Sequence, residues 1–250
     1  MLSEERRDLI LQEVNEKKSV TIEELQECIG VSESTIRRDI IQLSRQGKLA
    51  RVHGGAVALE DVPKATKATS HVSESTNMEE KLRIASFAAG LIKPGDSVFI
   101  DSGTTTEYLT EFIEEHKATY VTNSILNARK LVERGFKVFL VGGELKENTE
   151  VVVGADAILN IQRYHFTKGF FGTNGVGSKA GLTTPDVREA LVKRVAIECT
   201  EPGQRYILAD HGKFGLMSAV TFSDFGGVVL LTEKKQDKQY NEIADIWVVD

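Results

Sequence analysis

Cysteine, proline and histidine are all scarce in this chain of 250 residues. The two cysteines, Cys28 and Cys199, are far apart, so the sequence predicts reduced thiols rather than a disulfide framework. The five histidines are scattered without the spacing of metal ligands. No apolar run approaches the roughly 18–20 residues that a membrane span needs, and the charged N-terminus lacks the apolar core of a signal peptide. We therefore expect a cytoplasmic protein with no metal, no cofactor and no membrane partner.

Acidic residues outnumber basic residues in the chain, which gives it a formal net charge of −6. Their distribution is uneven, however. Residues 34–58 hold five basic side chains and one acidic side chain, a local net charge of +4. Since DNA binding needs a locally positive surface rather than a basic chain, this segment is a candidate nucleic-acid interface.

Three short helices are predicted in the first part of the chain. The first ends near Lys17. The stretch Thr21–Glu24 has the capping-box pattern, and Gly30 suits the left-handed residue that ends the second helix. Ser32 is a candidate N-cap for a third helix, which we expect over residues 33–46.

The third helix has an apolar stripe and a polar face. At about 100° per residue, Ile36, Ile40 and Leu43 fall on one narrow stripe that would hold the helix against a core. The other sides display hydroxyl and guanidinium groups, which contact base edges and phosphates when such a helix docks in the major groove. A solvated basic face on a helical bundle is the alternative interpretation. The displayed residues are Ser34, Thr35, Arg37, Arg38 and Arg45.

Residues 48–58 alternate in polarity and turn at residues 54–55, which is typical of a small hairpin. A hairpin directly after a helix of this kind is the layout of a winged helix-turn-helix. Lys48, and Arg51 and His53 near the tip, are candidates for phosphate or minor-groove contacts. For His53, a structural role in the turn is an equally good interpretation.

The order of these elements resembles the N-terminal domain of the DeoR family of bacterial repressors. The similarity is nearly unbroken from Arg6 to Ala56, and its most specific parts are Ile36-Arg-Arg-Asp39 and His53-Gly-Gly-Ala56. It implies that residues 1–57 form a winged helix-turn-helix DNA-binding domain whose third helix reads double-stranded operator DNA.

Residues 58–76 lose periodicity and gain serine, threonine, lysine and glutamate, so we interpret them as a linker. From residue 77 onward, apolar strands alternate with helical segments. This alternation predicts an α/β domain over residues 77–250, with a mainly parallel sheet covered on both faces. Strands are expected to begin near residues 97, 119, 137, 169, 205, 228 and 246.

A candidate ligand site begins at Asp101-Ser-Gly-Thr-Thr-Thr106, which follows a predicted buried strand and opens a helix. Its glycine lets the backbone approach an anion, and the helix amides and three threonine hydroxyls can donate to that anion. The motif is neither a Walker nor a Rossmann loop. A plain strand-to-helix turn with a threonine cap is the alternative.

Polar residues also stand at the ends of other predicted strands, where open parallel sheets bind ligands. Asn123 offers a donor and an acceptor, Asp210 accepts hydroxyl hydrogen bonds, and Lys213 offers a charge for phosphate. Gly142 ends another strand. Each is a common cap or turn residue when taken alone, but their convergence at one sheet edge predicts a ligand pocket.

Residues 77–232 resemble the effector domain of the DeoR family, through Asp101-x-Gly-Thr-Thr, Gly181-Leu-Thr and Asp210-x-x-Lys213. The resemblance implies a fold similar to ribose-5-phosphate isomerase and a phosphorylated sugar as effector. The run from Gly181 to Ile197 looks most like the branch that represses fructose operons, which makes fructose 1-phosphate the first ligand to test.

The sequence departs from the family pattern at Thr167, where many members have an acidic residue. This leaves open the charge at the corner of the pocket where we expect this residue to lie. Lys168 beside it is either a further ligand contact or a solvated side chain.

Two other functions fit part of the sequence. A sugar-phosphate isomerase needs paired carboxylates after the strand near residue 169 to move a proton between carbons, but the stretch Phe171–Asn174 has none. Glu189 in the following helix is a lone carboxylate, which we expect to bind hydroxyl groups. In the other alternative the α/β domain only oligomerises, which leaves the polar strand ends unexplained.

We therefore predict a repressor rather than an enzyme, assembled as a homodimer or homotetramer so that paired heads bind paired half-sites. The family resemblance implies that the sugar phosphate releases the DNA. The predicted effector-binding residues are Asp101, Gly103, Thr104, Thr105, Thr106, Asn123, Gly142, Glu189, Asp210 and Lys213.

Overall fold

In the computed structural model the chain divides into two units, Met1–Val72 and Ser73–Asp250. Within the residues that the structure describes, no helix is long and apolar enough to cross a membrane. Nor do three or more of their His, Cys, Asp or Glu side chains come together in a way that could hold a metal ion. The described residues are 3–45, 48–52, 55–58, 77–147 and 149–249.

The first unit combines helices with a small antiparallel sheet. Its elements are α1 (Ser3–Lys17), β1 (Ser19–Thr21), α2 (Ile22–Ile29), α3 (Glu33–Arg45), β2 (Ala50–Val52) and β3 (Gly55–Val57). The strands lie in the order β1-β3-β2. Ile36, Ile40 and Leu43 of α3 are at most 2% exposed and pack in one cluster with apolar residues of α1 and α2, which confirms the predicted stripe.

The ends of α2 follow the predicted capping pattern. The Thr21 hydroxyl accepts from the Glu24 amide at 3.1 Å, and the Glu24 carboxylate accepts from the Thr21 amide at 2.7 Å. Gly30 has φ +72°, and its N–H donates to the Gln26 carbonyl at 2.8 Å. Because these bonds satisfy groups that the helix itself leaves unpaired, they fix both boundaries of α2.

The hairpin predicted over residues 48–58 is part of a larger sheet. Strand β3 pairs with β2 and also with β1, a strand that the sequence did not predict. A Cβ atom on Gly55 would lie 2.0 Å from the Val20 carbonyl oxygen. The glycine is therefore required for the close approach of β3 to β1. His53 and Gly54 lie outside the described residues.

The second unit is an α/β structure. Its strands are β4 (Ser97–Ile100), β5 (Thr119–Thr122), β6 (Val138–Leu140), β7 (Glu144–Lys146), β8 (Val151–Val153), β9 (Lys168–Gly172), β10 (Gly175–Gly177), β11 (Gly181–Thr184), β12 (Arg205–Leu208), β13 (Val220–Ser223), β14 (Val228–Thr232) and β15 (Asp245–Val248). Its helices are α4 (Met78–Ala89), α5 (Thr104–Phe112), α6 (Ile125–Glu133), α7 (Ala155–Ile161), α8 (Val187–Glu198) and α9 (Lys238–Asn241), with a 3₁₀ turn at His211–Lys213.

Seven of these strands form one sheet in the order β15-β14-β12-β9-β4-β5-β6, and each neighbouring pair is parallel. Phe99 of β4 packs in one apolar cluster, whereas Val98 and Ile100 pack in another. Since successive side chains point to opposite faces of a strand, both faces of the sheet are buried. The predicted mainly parallel sheet is confirmed.

The short antiparallel strands were not predicted. Strands β7 and β8 form a hairpin, and β10, β11 and β13 form a second small sheet. Each of them has only three or four residues, which is too few for alternation to be recognisable.

Candidate functional site

The exposed face of α3 carries the first candidate site. Ser34, Arg37 and Arg38 are exposed, while Ile36 between them is buried. The Arg37 Nε atom donates to Glu33 Oε1 at 2.7 Å, one helical turn away. Arg38, by contrast, makes no hydrogen bond or ion pair with any residue that the structure describes. Of the two adjacent arginines, Arg38 is the one whose guanidinium group is available to a partner.

The amino end of α3 presents a cluster of hydroxyl groups. The Ser32 carbonyl accepts from the Thr35 and Ile36 amides at 2.9 and 3.1 Å. The Ser32 hydroxyl lies 3.1 Å from the Ser34 hydroxyl and 2.9 Å from that of Thr35. These groups sit where a groove-binding helix begins its contacts with phosphates and bases.

Asp39, next to Arg38, has a different role that the sequence analysis missed. Its carboxylate is 7% exposed and accepts from Arg6 Nε of α1 at 2.5 Å, with Arg7 Nε at 3.7 Å. The ion pairs tie α3 to α1 and so fix the direction in which the exposed face points. The available signal was helical spacing, because Asp39 lies beside the apolar stripe at Ile36 and Ile40.

The structure describes only some of the other residues that are predicted to contact DNA. Lys48 is exposed, and its backbone amide donates to the Leu43 carbonyl at 3.0 Å. The side chains of Arg45 and Arg51, and all of His53, lie outside the described residues. Their contacts with DNA stay predictions.

The second candidate site lies at the carboxyl edge of the parallel sheet. Asp101 and Asn123 directly follow the adjacent strands β4 and β5. Gly172 ends β9 on the other side of β4, and Asp210 follows β12 beyond it. Since neighbouring strands are about 4.8 Å apart, the sheet brings these predicted residues to one edge.

The loop after β4 brings the amino end of α5 to the carboxyl edge of the sheet. Gly103 has φ +142°, a conformation that favours glycine, and α5 begins at the next residue. The amides in the first turn of a helix have no partner within it. Thr105 is buried and its hydroxyl has no hydrogen bond to a described residue, whereas Thr104 is half-buried. The geometry suits an anion at the amino end of α5.

Thr106 does not fit the expectation that all three threonine hydroxyls face an anion. Its side chain is fully buried and its hydroxyl donates to the Gly103 carbonyl at 2.9 Å. This bond stabilises the backbone at Gly103. Thr106 therefore supports the loop through Gly103 and offers no free donor to a ligand.

Asp101 is completely buried at the centre of the site. Its Oδ2 atom forms an ion pair with Lys193 Nζ of α8 and accepts from the Gly172 amide at 3.0 Å. Lys193 Nζ also donates to the Gly172 carbonyl at 3.2 Å. Burial raises the pKa of the Asp101 carboxyl, and the Lys193 ammonium group opposes that shift.

Lys193 was not among the predicted site residues. It is only 3% exposed, although it stands in a run with a neighbouring arginine. Ala190 and Ile197, which are buried on the same helix, lie three residues before it and four after it. That helical spacing was the signal that Lys193, rather than Arg194, faces inward.

Asn123 is 1% exposed and lies against the β7–β8 hairpin. Its carbonyl accepts from the Val152 amide at 2.7 Å, and its side-chain Nδ2 donates to the Val152 carbonyl at 3.4 Å. Its side-chain Oδ1 atom is buried and makes no hydrogen bond within the part of the chain that the structure describes. The structure therefore places an acceptor, rather than a donor, at the free end of Asn123.

Glu189 is engaged by another side chain. Lys146 Nζ of β7 lies 2.6 Å from Glu189 Oε1 and 2.9 Å from Asp186 Oδ2. Gly142, just before this hairpin, is exposed with open space around it. Glu189 thus holds the hairpin to α8, and a role in binding hydroxyl groups would require it to share or leave Lys146.

Asp210 and Lys213 flank the 3₁₀ turn after β12. Asp210 Oδ1 accepts from the Gly212 amide at 3.0 Å and from Asn77 Nδ2 at 2.7 Å. Lys213 is half-buried, and its amino group has no hydrogen-bond or ion-pair partner among the described residues. Asp210 therefore orders the turn that carries Lys213, and the lysine is available to a negatively charged ligand.

Thr167 and Lys168 do not lie at the ligand edge, so the expected pocket corner was wrong. Lys168 is the first residue of β9 and lies beside Val98, at the amino ends of the strands. Its Nζ atom pairs with Asp96 at 3.0 Å, and the Thr167 hydroxyl donates to Asp96 at 2.8 Å. Burial acts to raise the pKa of the Asp96 carboxyl, but these bonds and the Lys93 amide lower it overall.

Both units match family models. Residues 6–62 match the DeoR-like helix-turn-helix domain and residues 76–234 match the DeoR C terminal sensor domain. The "Uncharacterized HTH-type transcriptional regulator FruR" of Bacillus subtilis (strain 168) is 36% identical over 250 residues, which is 100% of this chain and 98% of that protein. The "Lactose phosphotransferase system repressor" of Staphylococcus aureus (strain NCTC 8325 / PS 47) is 32% identical over 252 residues, with 99% and 98% covered.

Solved structures with similar regions are more distant. Ribose 5 phosphate isomerase A from Neisseria gonorrhoeae aligns with a TM-score of 0.40 and 17% identity, over 56% of this chain and 55% of that chain. The Pyrococcus horikoshii OT3 translation initiation factor eIF-2B aligns with a TM-score of 0.42 and 17% identity, over 59% and 52%.

Proposed function

This chain belongs to the DeoR family of DNA-binding transcriptional regulators, and on that premise we propose that it represses a sugar-utilisation operon until a phosphorylated sugar binds. The DNA-binding part of the proposal depends on the exposed face of α3. Arg38 is exposed and unpaired there among the described residues, while Ile36, Ile40 and Asp39 anchor the helix from behind. A rigidly held helix with a free guanidinium group suits readout of guanine edges in the major groove.

The effector part of the proposal is supported by the amino end of α5. Gly103 and the amides of the first helical turn, which have no partner within the helix, suit a phosphate group, and Lys213, in the 3₁₀ turn after β12, offers positive charge at the same edge of the sheet. Fructose 1-phosphate is the first effector to test, because of the resemblance of the run from Gly181 to Ile197 to fructose-operon repressors. Relatives named FruR and lactose phosphotransferase system repressor also favour a sugar-derived signal.

The proposed assembly is a homodimer or homotetramer. One winged unit presents a single recognition helix and buries too little surface for tight operator binding. Two heads in a symmetric assembly would bind paired half-sites about one helical turn of DNA apart. The α/β unit would supply the contacts between subunits as well as the effector site.

Catalysis by the α/β unit is the less favoured alternative. The stretch Phe171–Asn174 contains no carboxylate, and Glu189 is paired with Lys146. Moving a proton between carbons requires a positioned base. A site that binds a sugar phosphate without such a base suits a sensor.

A binding assay on the intact protein tests the proposal. We expect DNA from the protein's own promoter region to bind at moderate ionic strength, and fructose 1-phosphate to release it, as measured by fluorescence anisotropy. A scrambled duplex is the control for charge-driven binding. Failure to bind promoter DNA above the scrambled duplex, or turnover of the sugar phosphate by the purified protein, would contradict the proposal.

A further inference from the structure

Two buried oxygen atoms at the carboxyl edge of the sheet have no hydrogen-bond partner among the described residues. They are Asp101 Oδ1 and Asn123 Oδ1, and each exposes less than 1 Å². Buried polar atoms in native proteins nearly always have a partner, so each exception calls for an explanation. Both atoms here are acceptors, and what they lack is a donor.

The two residues occupy equivalent positions on adjacent strands. Ile100 of β4 lies beside Thr122 of β5 in the sheet, and Asp101 and Asn123 are the residues that follow this pair. Asn127 of α6, the helix that follows β5, donates from Nδ2 to the Asp101 backbone carbonyl at 3.0 Å, which connects α6 to the end of β4. We call Asp101 Oδ1 and Asn123 Oδ1 the acceptor pair.

The surrounding contacts fix which atoms are left free. Lys193 and the Gly172 amide both bond to Asp101 Oδ2, so Oδ1 is the oxygen left over. The Ser102 amide lowers the pKa of the carboxyl, yet Oδ1 itself completes no hydrogen bond. For Asn123, turning the amide over would set its oxygen against the Val152 carbonyl, which now accepts from Nδ2.

We propose that the acceptor pair reads hydroxyl groups of the phosphorylated ligand held at the amino end of α5, and that Lys193 is the positioning residue that holds the Asp101 carboxyl in place. This inference rests on the proposed sensor function and refines it. Two acceptors beside a phosphate-binding loop select a ligand with hydroxyl donors next to its phosphate. They disfavour a ligand with a carboxylate at that position, because a carboxylate has no hydrogen to donate to either acceptor.

Entry of the ligand requires a small movement, since the acceptor pair is covered. Ser102 is half-buried and Gly103 is exposed, so the loop over Asp101 is at the surface. Gly103 already has φ +142°, a region in which glycine moves freely and other residues are strained. The Ser102–Gly103 loop is therefore the segment that we expect to shift when ligand hydroxyl groups reach the pair.

The first experiment uses the intact wild-type protein and calorimetry. Inorganic phosphate probes the loop alone, and fructose 1-phosphate probes the whole site. Glycerol 3-phosphate and n-propyl phosphate form a matched pair, because they share a three-carbon chain and only the first carries hydroxyl groups. We expect glycerol 3-phosphate to bind about tenfold or more tightly than n-propyl phosphate, and 3-phosphoglycerate to bind more weakly than glycerol 3-phosphate.

The second experiment uses Asn123→Leu, which keeps the side-chain shape and removes the acceptor. We expect the preference for glycerol 3-phosphate over n-propyl phosphate to shrink and fructose 1-phosphate to bind about tenfold more weakly, while inorganic phosphate binds as before. Asn241→Leu, at an exposed asparagine of α9, is the control and should leave all these affinities unchanged.

The outcomes separate this inference from the function on which it rests. If the wild-type protein binds glycerol 3-phosphate and n-propyl phosphate equally, the role proposed for the acceptor pair is wrong, because buried water would then satisfy both oxygen atoms. Equal losses for inorganic phosphate and fructose 1-phosphate in Asn123→Leu would also overturn it, because the residue would then be purely structural. If the wild-type protein binds none of these phosphates, the proposed sensor function itself fails.

Discussion

Adjacent residues of α3 have opposite environments, and this decides what each can do. Arg37 is paired with Glu33 and Arg38 is free among the described residues, while Asp39 is buried against Arg6. A side chain already paired within its helix must exchange that partner for a phosphate or a base, whereas a free one need not. The structure thus ranks the two adjacent arginines by their availability to a partner.

This ranking leads to a prediction for operator binding. We expect Arg38→Ala to weaken it by about 1–3 kcal/mol if Arg38 reads a base, and Arg37→Ala to weaken it less. Fluorescence anisotropy with the same duplex at one salt concentration would measure both. Effector affinity should stay unchanged in either variant. Equal losses, or no loss for Arg38→Ala, would contradict the assignment of the reading face.

The ion pair between Lys193 and Asp101 predicts a large effect on stability. Lys193→Met leaves a buried carboxylate without its partner, so we expect the free energy of unfolding to fall by about 3–5 kcal/mol. Trp247, the single tryptophan of the chain, lies in the second unit and reports its unfolding in urea. The double variant Asp101→Leu/Lys193→Met removes both charges and should recover much of the loss. A double variant as unstable as the single one would show that packing, rather than the unpaired charge, is responsible.

At the scale of single residues, the sequence predicted the burial of some side chains correctly and missed that of others. Ile36, Ile40 and Leu43 were correctly placed because burial of apolar residues follows helical spacing. Asp39 and Lys193 were missed because composition alone indicates that charged residues are exposed. Their burial depends on partners that are distant in sequence, Arg6 for one and Asp101 for the other, and no local pattern contains that information.

At the scale of elements, strong local signals were reliable. The capping box at Thr21–Glu24 and the seven apolar parallel strands appear close to where they were predicted. Strand β1 and the β7–β8 hairpin were missed, since each strand is three residues long and is stabilised by pairing across the fold. Thr167 was placed on the wrong edge of the sheet because the position of the residue before β9 depends on the register of β9 with β4.

The β7–β8 hairpin and α8 are joined by a cluster of charges with a defined pH dependence. Burial acts to raise the pKa of the Asp186 carboxyl, but hydrogen bonds from Lys146 and the Arg188 amide lower it overall. A carboxyl with a lowered folded-state pKa stabilises the protein above its unfolded pKa of about 3.9, and that contribution is lost as the pH falls through the folded value.

Lys146→Met should therefore change both the stability and its response to acid. We expect a loss of about 1 kcal/mol near neutral pH, since the pair is only partly buried, and a shallower decline in stability below about pH 4 than in the wild type. Urea unfolding followed by Trp247 fluorescence would measure this. Lys179→Met, at an exposed lysine, is the matched control. A decline as steep as that of the wild type would rule out Lys146 as the cause of the lowered Asp186 pKa.

For the whole molecule, the distribution of charge matters more than its sum. The net charge of −6 includes a local excess of +4 over residues 34–58. The acidic remainder opposes contact of the rest of the chain with DNA phosphates, and the basic segment favours DNA contact through the first unit. DNA binding and effector binding are thus assigned to separate units of one chain, and regulation requires a coupling free energy between them.

Such coupling is reciprocal, which provides a test that needs no mutation. If fructose 1-phosphate weakens operator binding through a coupling of about 1–3 kcal/mol, roughly 5–150-fold, then the operator must weaken fructose 1-phosphate binding by the same factor. Calorimetric titration of the effector with and without saturating operator, beside anisotropy titrations of the operator with and without effector, measures both sides.

Arg38→Ala supplies the control for this test. At a DNA concentration too low for this variant to bind, its effector affinity should be the same with and without the operator. Equal factors on the two sides of the wild-type cycle would show that effector binding and operator binding are linked through the same protein. If DNA is released while effector affinity is indifferent to saturating operator, the release does not arise from linked binding at two sites of one protein, and the proposed coupling is wrong.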